Sequence, residues 1–315
     1  MQIVVLDAAT LGEDLDLSPL TSRHACTVYQ NSTPEEVKAR IVGAEVIVIN
    51  KIRLGRENLP AARSLKLICI AATGYDNIDV EYCRENGIAV CNVKGYSTDS
   101  VAQLTVAMAL SLWNRLPEYT EAVNDGRYTA SGCANMLTPI YREISGKTWG
   151  IVGLGNIGKK VAEVAKALGC RVVTYQRKPV EGYEYVGLEE LLRASDIVSL
   201  HTPLSGETRG LIGREELQMM KRGALLINVA RGAVTDEEAV AEAVLSGHLG
   251  GVGVDVYSRE PFPKEHPMSR LCGHKNVCLT PHIAWSAVEA RERCLSEIVR
   301  NIDDFSVGGR RNRVD

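Results

Sequence analysis

Three polar residues stand directly after short β-branched runs: Arg231 after Leu225-Leu226-Ile227-Asn228-Val229-Ala230, Glu260 after Asp255-Val256-Tyr257-Ser258-Arg259, and His282 after Leu279-Thr280-Pro281. Open α/β sheets place their ligands at such strand ends. A guanidinium offers a planar fork of donors to a carboxylate and a neighbouring carbonyl oxygen. An imidazole gives or takes a proton near neutral pH, and a carboxylate bonded to it favours the charged ring and fixes its tautomer. Singly, a strand-end Arg is a surface charge and a lone His is a structural residue. As a set they are what hydride chemistry on a 2-keto acid requires.

The partner for that chemistry is written in Gly153-Leu154-Gly155-Asn156-Ile157-Gly158, which follows the run Trp149-to-Val152 and opens a helical pattern reaching Leu168. Gly153 allows the tight turn, Gly155 lets the backbone approach a pyrophosphate, and Gly158 permits close helix–strand packing. The helix N-terminus offers N–H groups to the phosphates. The next strand, Arg171-to-Tyr175, ends at Gln176-Arg177-Lys178. No carboxylate stands where a ribose-binding acid is expected, and two cations lie beside the gap. This predicts NADP preference or dual use of NADP and NAD; the alternative is a solvated basic turn in an NAD enzyme.

Two βα series must position these groups. The first contains Ile3-to-Leu6, Thr27-to-Tyr29, Val46-to-Ile49, Leu67-to-Ile70 and Ile88-to-Cys91, with helical patterns over Pro34-to-Val42, Gly55-to-Ala62 and Asp79-to-Asn86. The second has six strands: Trp149-to-Val152, Arg171-to-Tyr175, Ile197-to-His201, Ala224-to-Ala230, Gly251-to-Val256 and Val277-to-Thr280. Apolar strands alternating with helices predict an α/β protein with parallel sheets covered on both faces. Between the series, Ser100 to Leu116 reads as a helix ended by Pro117 and apolar nearly all round, hence buried between domains or subunits. Asn124 to Ile144 reads as an extended arm. Together they predict a homodimer. A last helix, Ser286 to Phe305, is long enough to return to the first domain.

Composition sets the remaining bounds. The 315 residues carry 36 Lys and Arg against 39 Asp and Glu, a net charge of −3, which excludes the broad basic footprint of a nucleic-acid binder. No apolar run is long enough to span a bilayer, and the start of the chain reads as a strand rather than a signal peptide. Nine cysteines without a CxxC pair read as reduced thiols in a cytoplasmic protein, with no metal site indicated.

Asn228-Val229-Ala230-Arg231-Gly232, Asp255-Val256-Tyr257-Ser258-Arg259-Glu260-Pro261 and Thr280-Pro281-His282-Ile283-Ala284 closely resemble signatures of the D-isomer-specific 2-hydroxyacid dehydrogenases. Gly74-to-Asp79 and His201-Thr202-Pro203-Leu204 extend the likeness along the chain. The resemblance implies two doubly wound parallel-sheet domains with a cleft between them: a flavodoxin-like substrate domain of residues 1–98 plus 286–315, and a Rossmann dinucleotide-binding domain of residues 99–285. It implies that Arg231 binds the substrate carboxylate, that His282 is the acid–base group and that Glu260 is its partner. It also implies that N–H groups of Ala72, Thr73 and Gly74 hold the carboxylate's other side and that Asp255 stands near the nicotinamide carboxamide. Asn156, Ile157, His201, Pro203, Thr208, Val229 and Ala230 are implied to line the cofactor, with Arg231 and His282 touching it as well. The stretches Val4-to-Asp7, Ile49-Asn50-Lys51, Val93-to-Gln103 and Pro281-to-Trp285 look most like the glycerate dehydrogenase (hydroxypyruvate reductase) branch. That implies hydroxypyruvate, with glyoxylate second. A reductase of bulkier 2-keto acids and a dinucleotide-sensing corepressor-type protein are the alternatives.

Overall fold

A computed structural model describes residues 1–315. The chain divides into two compact units, Met1–Ser97 with Trp285–Asp315, and Thr98–Ala284.

The first unit holds β1 (Gln2–Val5), β2 (Ala25–Val28), β3 (Val46–Ile49), β4 (Leu67–Ile70) and β5 (Ala89–Cys91). They form one parallel sheet in the order β2-β1-β3-β4-β5. Successive strand side chains point to opposite faces, and each face has its own core. Ile3, Val5, Val46, Val48 and Leu67 pack with Leu295, Ile298 and Ile302 of the helix Val288–Ser306. Val4, Ile47, Ile49, Ile68 and Ile70 pack with Val37 and Ile41 on the other side. The helix expected over Gly55-to-Ala62 is only a 3-10 turn, Leu59–Ala61. Asn58 closes the chain on itself instead: its Oδ1 accepts from Gly55 N–H at 3.0 Å and its Nδ2 donates to Arg53 O at 2.9 Å. Pro60 removes a further helical donor.

The second unit holds β6 (Thr148–Val152), β7 (Arg171–Tyr175), β8 (Glu184–Tyr185), β9 (Ile197–Leu200), β10 (Leu225–Asn228), β11 (Gly251–Val254) and β12 (Val277–Leu279). Their order is β12-β11-β10-β9-β6-β7-β8, all parallel. The sheet has seven strands, not the six expected. The added strand, β8, has two exposed residues and no apolar run to betray it. It is held at the edge by the Arg171–Glu184 ion pair and by Thr174 Oγ1, which donates to Glu184 O at 2.9 Å. Chain order reverses at β6, so the loops after β6 and β9 meet at a topological switch point.

The helix expected from Ser100 to Leu116 runs over Thr98–Trp113 and ends before Pro117. Arg115 breaks it with φ of 55°, and Pro117 lies in the first turn of a new helix, Leu116–Asn124, where its missing N–H costs nothing. Part of the apolar surface of the helix Thr98–Trp113 is taken up within its own unit. Val101, Ala102, Thr105, Met108, Ala109 and Leu112 bury against the helix Asn156–Ala167 and strands β10 and β11 of the same unit. Leu104, Val106, Leu110 and Trp113 remain half-buried on its other side. The irregular stretch that follows is tied back by Trp113 Nε1, which donates to Arg142 O at 2.6 Å, and by the edge-to-face pair Tyr119–Tyr141. No helix is long and apolar enough to cross a membrane.

Candidate active site

The glycine loop lies at the switch point between β6 and the helix Asn156–Ala167. Gly153 has φ of +95°, and a Cβ there would sit 2.8 Å from the His201 carbonyl carbon and Thr202 N. A Cβ on Gly158 would come within 2.2 Å of Gly153 O. Both glycines are thus required by the chain's own packing. Gly155 is different: a Cβ there meets no protein atom within 4 Å. Space above this backbone, at a helix N-terminus with no side-chain cap, fits a pyrophosphate. Asn156 is exposed in the first turn and Ile157 is half-buried.

At the end of β7, both polar atoms of the Gln176 amide are buried without a partner. An unsatisfied buried amide is costly, so this group fits a site completed by a ligand hydroxyl. Arg177, three-quarters exposed, pairs with Glu207 at 2.9 Å. Lys178 lies in the same exposed turn. After β9, His201 Nε2 lies 3.0 Å from Ser199 Oγ, which also accepts from Trp149 Nε1 at 2.9 Å. Its Nδ1 is buried without a partner, and burial pushes the ring down to about 3, so it is neutral at physiological pH. Thr208 closes the following loop: its hydroxyl donates to Pro203 O at 2.6 Å and accepts from Ser205 N–H at 2.8 Å.

Asn228 at the end of β10 brackets the turn that presents Arg231. Its Oδ1 accepts from Ala230 N–H at 3.1 Å and its Nδ2 donates to Arg231 O at 3.0 Å. Val229 and Ala230 between them are buried. Gly232 has no room for a side chain, since a Cβ would approach Tyr257 C to 2.0 Å. The Arg231 segment therefore lies directly on the backbone that leads to Glu260.

Glu260 and His282 meet across the ends of β11 and β12. His282 Nδ1 is 2.6 Å from Glu260 Oε2, and Glu260 Oε1 accepts from Tyr257 N–H at 2.9 Å. His282 has φ of 56°, a left-handed conformation uncommon outside glycine. Asp255 holds it there. One carboxylate oxygen accepts from Thr280 Oγ1 at 2.6 Å and Ile283 N–H at 2.8 Å; the other accepts from Ala284 N–H at 2.9 Å. Burial raises the Asp255 carboxyl above its ordinary value, against the lowering by those donors.

Ala72, Thr73 and Gly74 follow β4 in the other unit. Ala72 O accepts from Val93 N–H at 3.0 Å, Thr73 Oγ1 donates to Val93 O at 2.8 Å, and Asn92 Nδ2 donates to Thr73 O at 2.8 Å. Sequence reading missed Asn228 as a bracket and Ser199 as the partner of His201. Ser199 had a signal, a hydroxyl inside an otherwise apolar strand; Asn228 had none beyond its strand-end position.

Residues 106–284 match the family model described as D-isomer specific 2-hydroxyacid dehydrogenase, NAD binding domain. The chain is 36% identical over 316 residues to a glycerate dehydrogenase of Methylorubrum extorquens, covering 100% of this chain and 99% of that one. It is 35% identical over 324 residues to a hydroxypyruvate reductase of Blautia hydrogenotrophica, with both chains fully covered. Among solved structures it is similar to D-lactate dehydrogenase from Aquifex aeolicus complexed with NAD and lactic acid, with TM-score 0.86, 31% identity, and 98% and 96% of the two chains covered. It is also similar to an acyclic imino acid reductase in complex with NADPH and D-arginine, with TM-score 0.89, 28% identity and 100% of both chains covered.

The three glycines predict separable defects. Gly158→Ala should destabilise the protein by about 1–3 kcal/mol through overpacking, read as a lower Tm. Gly155→Ala should leave the Tm near wild type while weakening dinucleotide binding measured by fluorescence titration. Equal Tm losses in the two variants would contradict the assignment.

Proposed function

The chain belongs to the D-isomer specific 2-hydroxyacid dehydrogenase family, and from that premise we propose that it interconverts hydroxypyruvate and D-glycerate, with glyoxylate as a second substrate. It is an NAD(P)-dependent enzyme of that family. The observation that carries the reading is the Glu260–His282 pair beside the Arg231 segment, on a sheet whose first loop fits a dinucleotide. The substrate is supported by full-length relatives named for glycerate and hydroxypyruvate. We assign residues 99–285 to dinucleotide binding and residues 1–98 with 286–315 to the substrate.

A bound nicotinamide dinucleotide supplies the hydride that reaches the keto carbon. Arg231 holds the substrate carboxylate and keto oxygen through its fork of donors, a geometry an ammonium group does not reproduce. N–H groups of Ala72, Thr73 and Gly74 are proposed as further donors to the substrate carboxylate. With Nδ1 on Glu260, Nε2 is the nitrogen of His282 that passes a proton to the keto oxygen, making the hydroxyl. In oxidation the neutral ring takes that proton back. Glu260 fixes the tautomer and the orientation of the ring.

On cofactor choice the reading is NADPH at least as efficient as NADH. Gln176 can bond a ribose hydroxyl without repelling a phosphate, and Arg177 offers a charge-assisted bond worth about 1.5–3 kcal/mol before solvent screening. Its surface pairing with Glu207 is worth at most about 1 kcal/mol and is readily exchanged. The half-buried apolar side of the helix Thr98–Trp113, with exposed Leu116, Val123, Leu137, Ile140 and Tyr141, supports a homodimer. The free cysteines fit a reducing cytoplasm.

Steady-state assays with NADPH and NADH against hydroxypyruvate, glyoxylate, pyruvate and phenylpyruvate test the reading. Hydroxypyruvate should give the highest kcat/KM, with NADPH equal to or better than NADH. Phenylpyruvate as best substrate would redirect it to bulkier acids, and a strong NADH bias would reassign Arg177 and Lys178 to solvent. No turnover at all would favour a binding protein. His282→Ala should lower turnover by roughly 10²–10⁴-fold with dinucleotide binding kept. Arg231→Lys should reduce both substrate affinity and turnover, and a mild effect would make Arg231 structural.

A further inference from the structure

A second cluster of titratable groups lies behind the site, in residues to which the reading above gives no role. Glu237 and His266 are both buried, with 8% of each exposed. Glu237 Oε2 lies 3.0 Å from His266 Nε2 and also accepts from the Ser258 hydroxyl. Glu237 Oε1 accepts from Ser258 N–H at 2.9 Å. On the far side of the imidazole, Nδ1 accepts from Met268 N–H at 3.3 Å, which puts the ring's proton on Nε2, facing Glu237. Phe262 lies against His266 at 5.2 Å between centroids and meets Tyr257 edge-on at 4.6 Å. Ser258 Oγ also lies 3.4 Å from His266 Nε2, but the wiring is not that of a hydrolytic triad, because the acid takes the same Nε2 and the serine hydroxyl donates to the acid.

A buried carboxylate is costly unless its oxygens are satisfied, and here three donors converge on one. Two of them belong to Ser258, in the stretch that ends at Glu260. The Tyr257 N–H that bonds Glu260 belongs to the residue just before. Glu237 itself opens the helix Glu237–Leu245, on the segment that leaves Arg231. Gly232 of that segment abuts the peptide joining Tyr257 to Ser258. The cluster thus joins, at their roots, the two segments that carry Arg231 and Glu260.

We propose that Glu237 and His266 are positioning residues that set the placement of Glu260 against His282, an inference that rests on the catalytic reading of Glu260 above. His266 holds the Glu237 carboxylate in place, Glu237 holds Ser258, and the Tyr257–Ser258 backbone fixes the carboxylate that orients the reacting imidazole.

A double-mutant cycle tests this. His266→Leu removes the donor and should lower kcat for reduction about tenfold, a misplacement effect, with the dinucleotide Kd changed less than about twofold. His266→Gln, whose amide nitrogen can stand in for Nε2, should restore most of the loss. In a Glu260→Gln background His266→Leu should cost less than about twofold further, because the group it positions is already disabled. The same tenfold loss in both backgrounds would overturn the proposal. Should His266→Leu fail to fold, Ser258→Ala takes its place in the cycle: it deletes only the hydroxyl, and additivity there overturns the proposal equally. Wild-type turnover in Glu260→Gln alone would instead overturn the catalytic reading of Glu260, and this inference with it.

Discussion

The Asp255 carboxylate is the interaction on which the site depends. It is buried at the end of β11 and satisfied by one hydroxyl and two backbone N–H groups of the turn Thr280–Ala284. Those bonds hold His282 at a φ of 56°, which a β-carbon disfavours unless the surroundings impose it. From that backbone the ring reaches Glu260, 2.6 Å away, and its tautomer is set. A short acid in a strand end thereby aims an imidazole just beyond the next strand.

The parallel sheet makes this arrangement available. β10, β11 and β12 are neighbours, so the loops after them carry Arg231, Glu260 and His282 to one edge. β6 and β9 are neighbours too, and Gly153 lies against the backbone of His201 and Thr202. The glycine loop and the Glu260–His282 pair are consequently products of one topology, reached from separate parts of the chain. The glycines divide the labour: Gly153 and Gly158 serve the fold, while Gly155 leaves room at the helix terminus.

Much of this is legible in the sequence because strand-to-loop boundaries are sharp. Apolar β-branched runs point to the parallel α/β class, and the polar residue after each run supplies the candidate set. What escapes has common physical causes. β8 has two exposed residues and exists through pairing to β7, which no local pattern encodes. The helix at Leu59 is cut short by a side-chain bond from Asn58, a competition that propensity does not register. Pro117 reads as a stop, yet proline suits the first turn of the next helix equally well. The clamp by Asp255 and the cluster of Glu237 with His266 arise from contacts between loops distant in sequence, so residue types alone could not pair them.

The most direct test is the rate of hydroxypyruvate reduction by the Asp255→Asn variant. The amide keeps the shape but puts an NH2 where one carboxylate oxygen stood, so either Ala284 N–H or Ile283 N–H with the Thr280 hydroxyl loses its acceptor, and the turn should lose its left-handed residue. If His282 is the acid–base group, kcat should fall roughly 10²-fold or more with the dinucleotide still bound, since misplacing it removes most of its contribution. Turnover by Asp255→Asn within about twofold of wild type would contradict it, because His282 would then hold its place without the carboxylate.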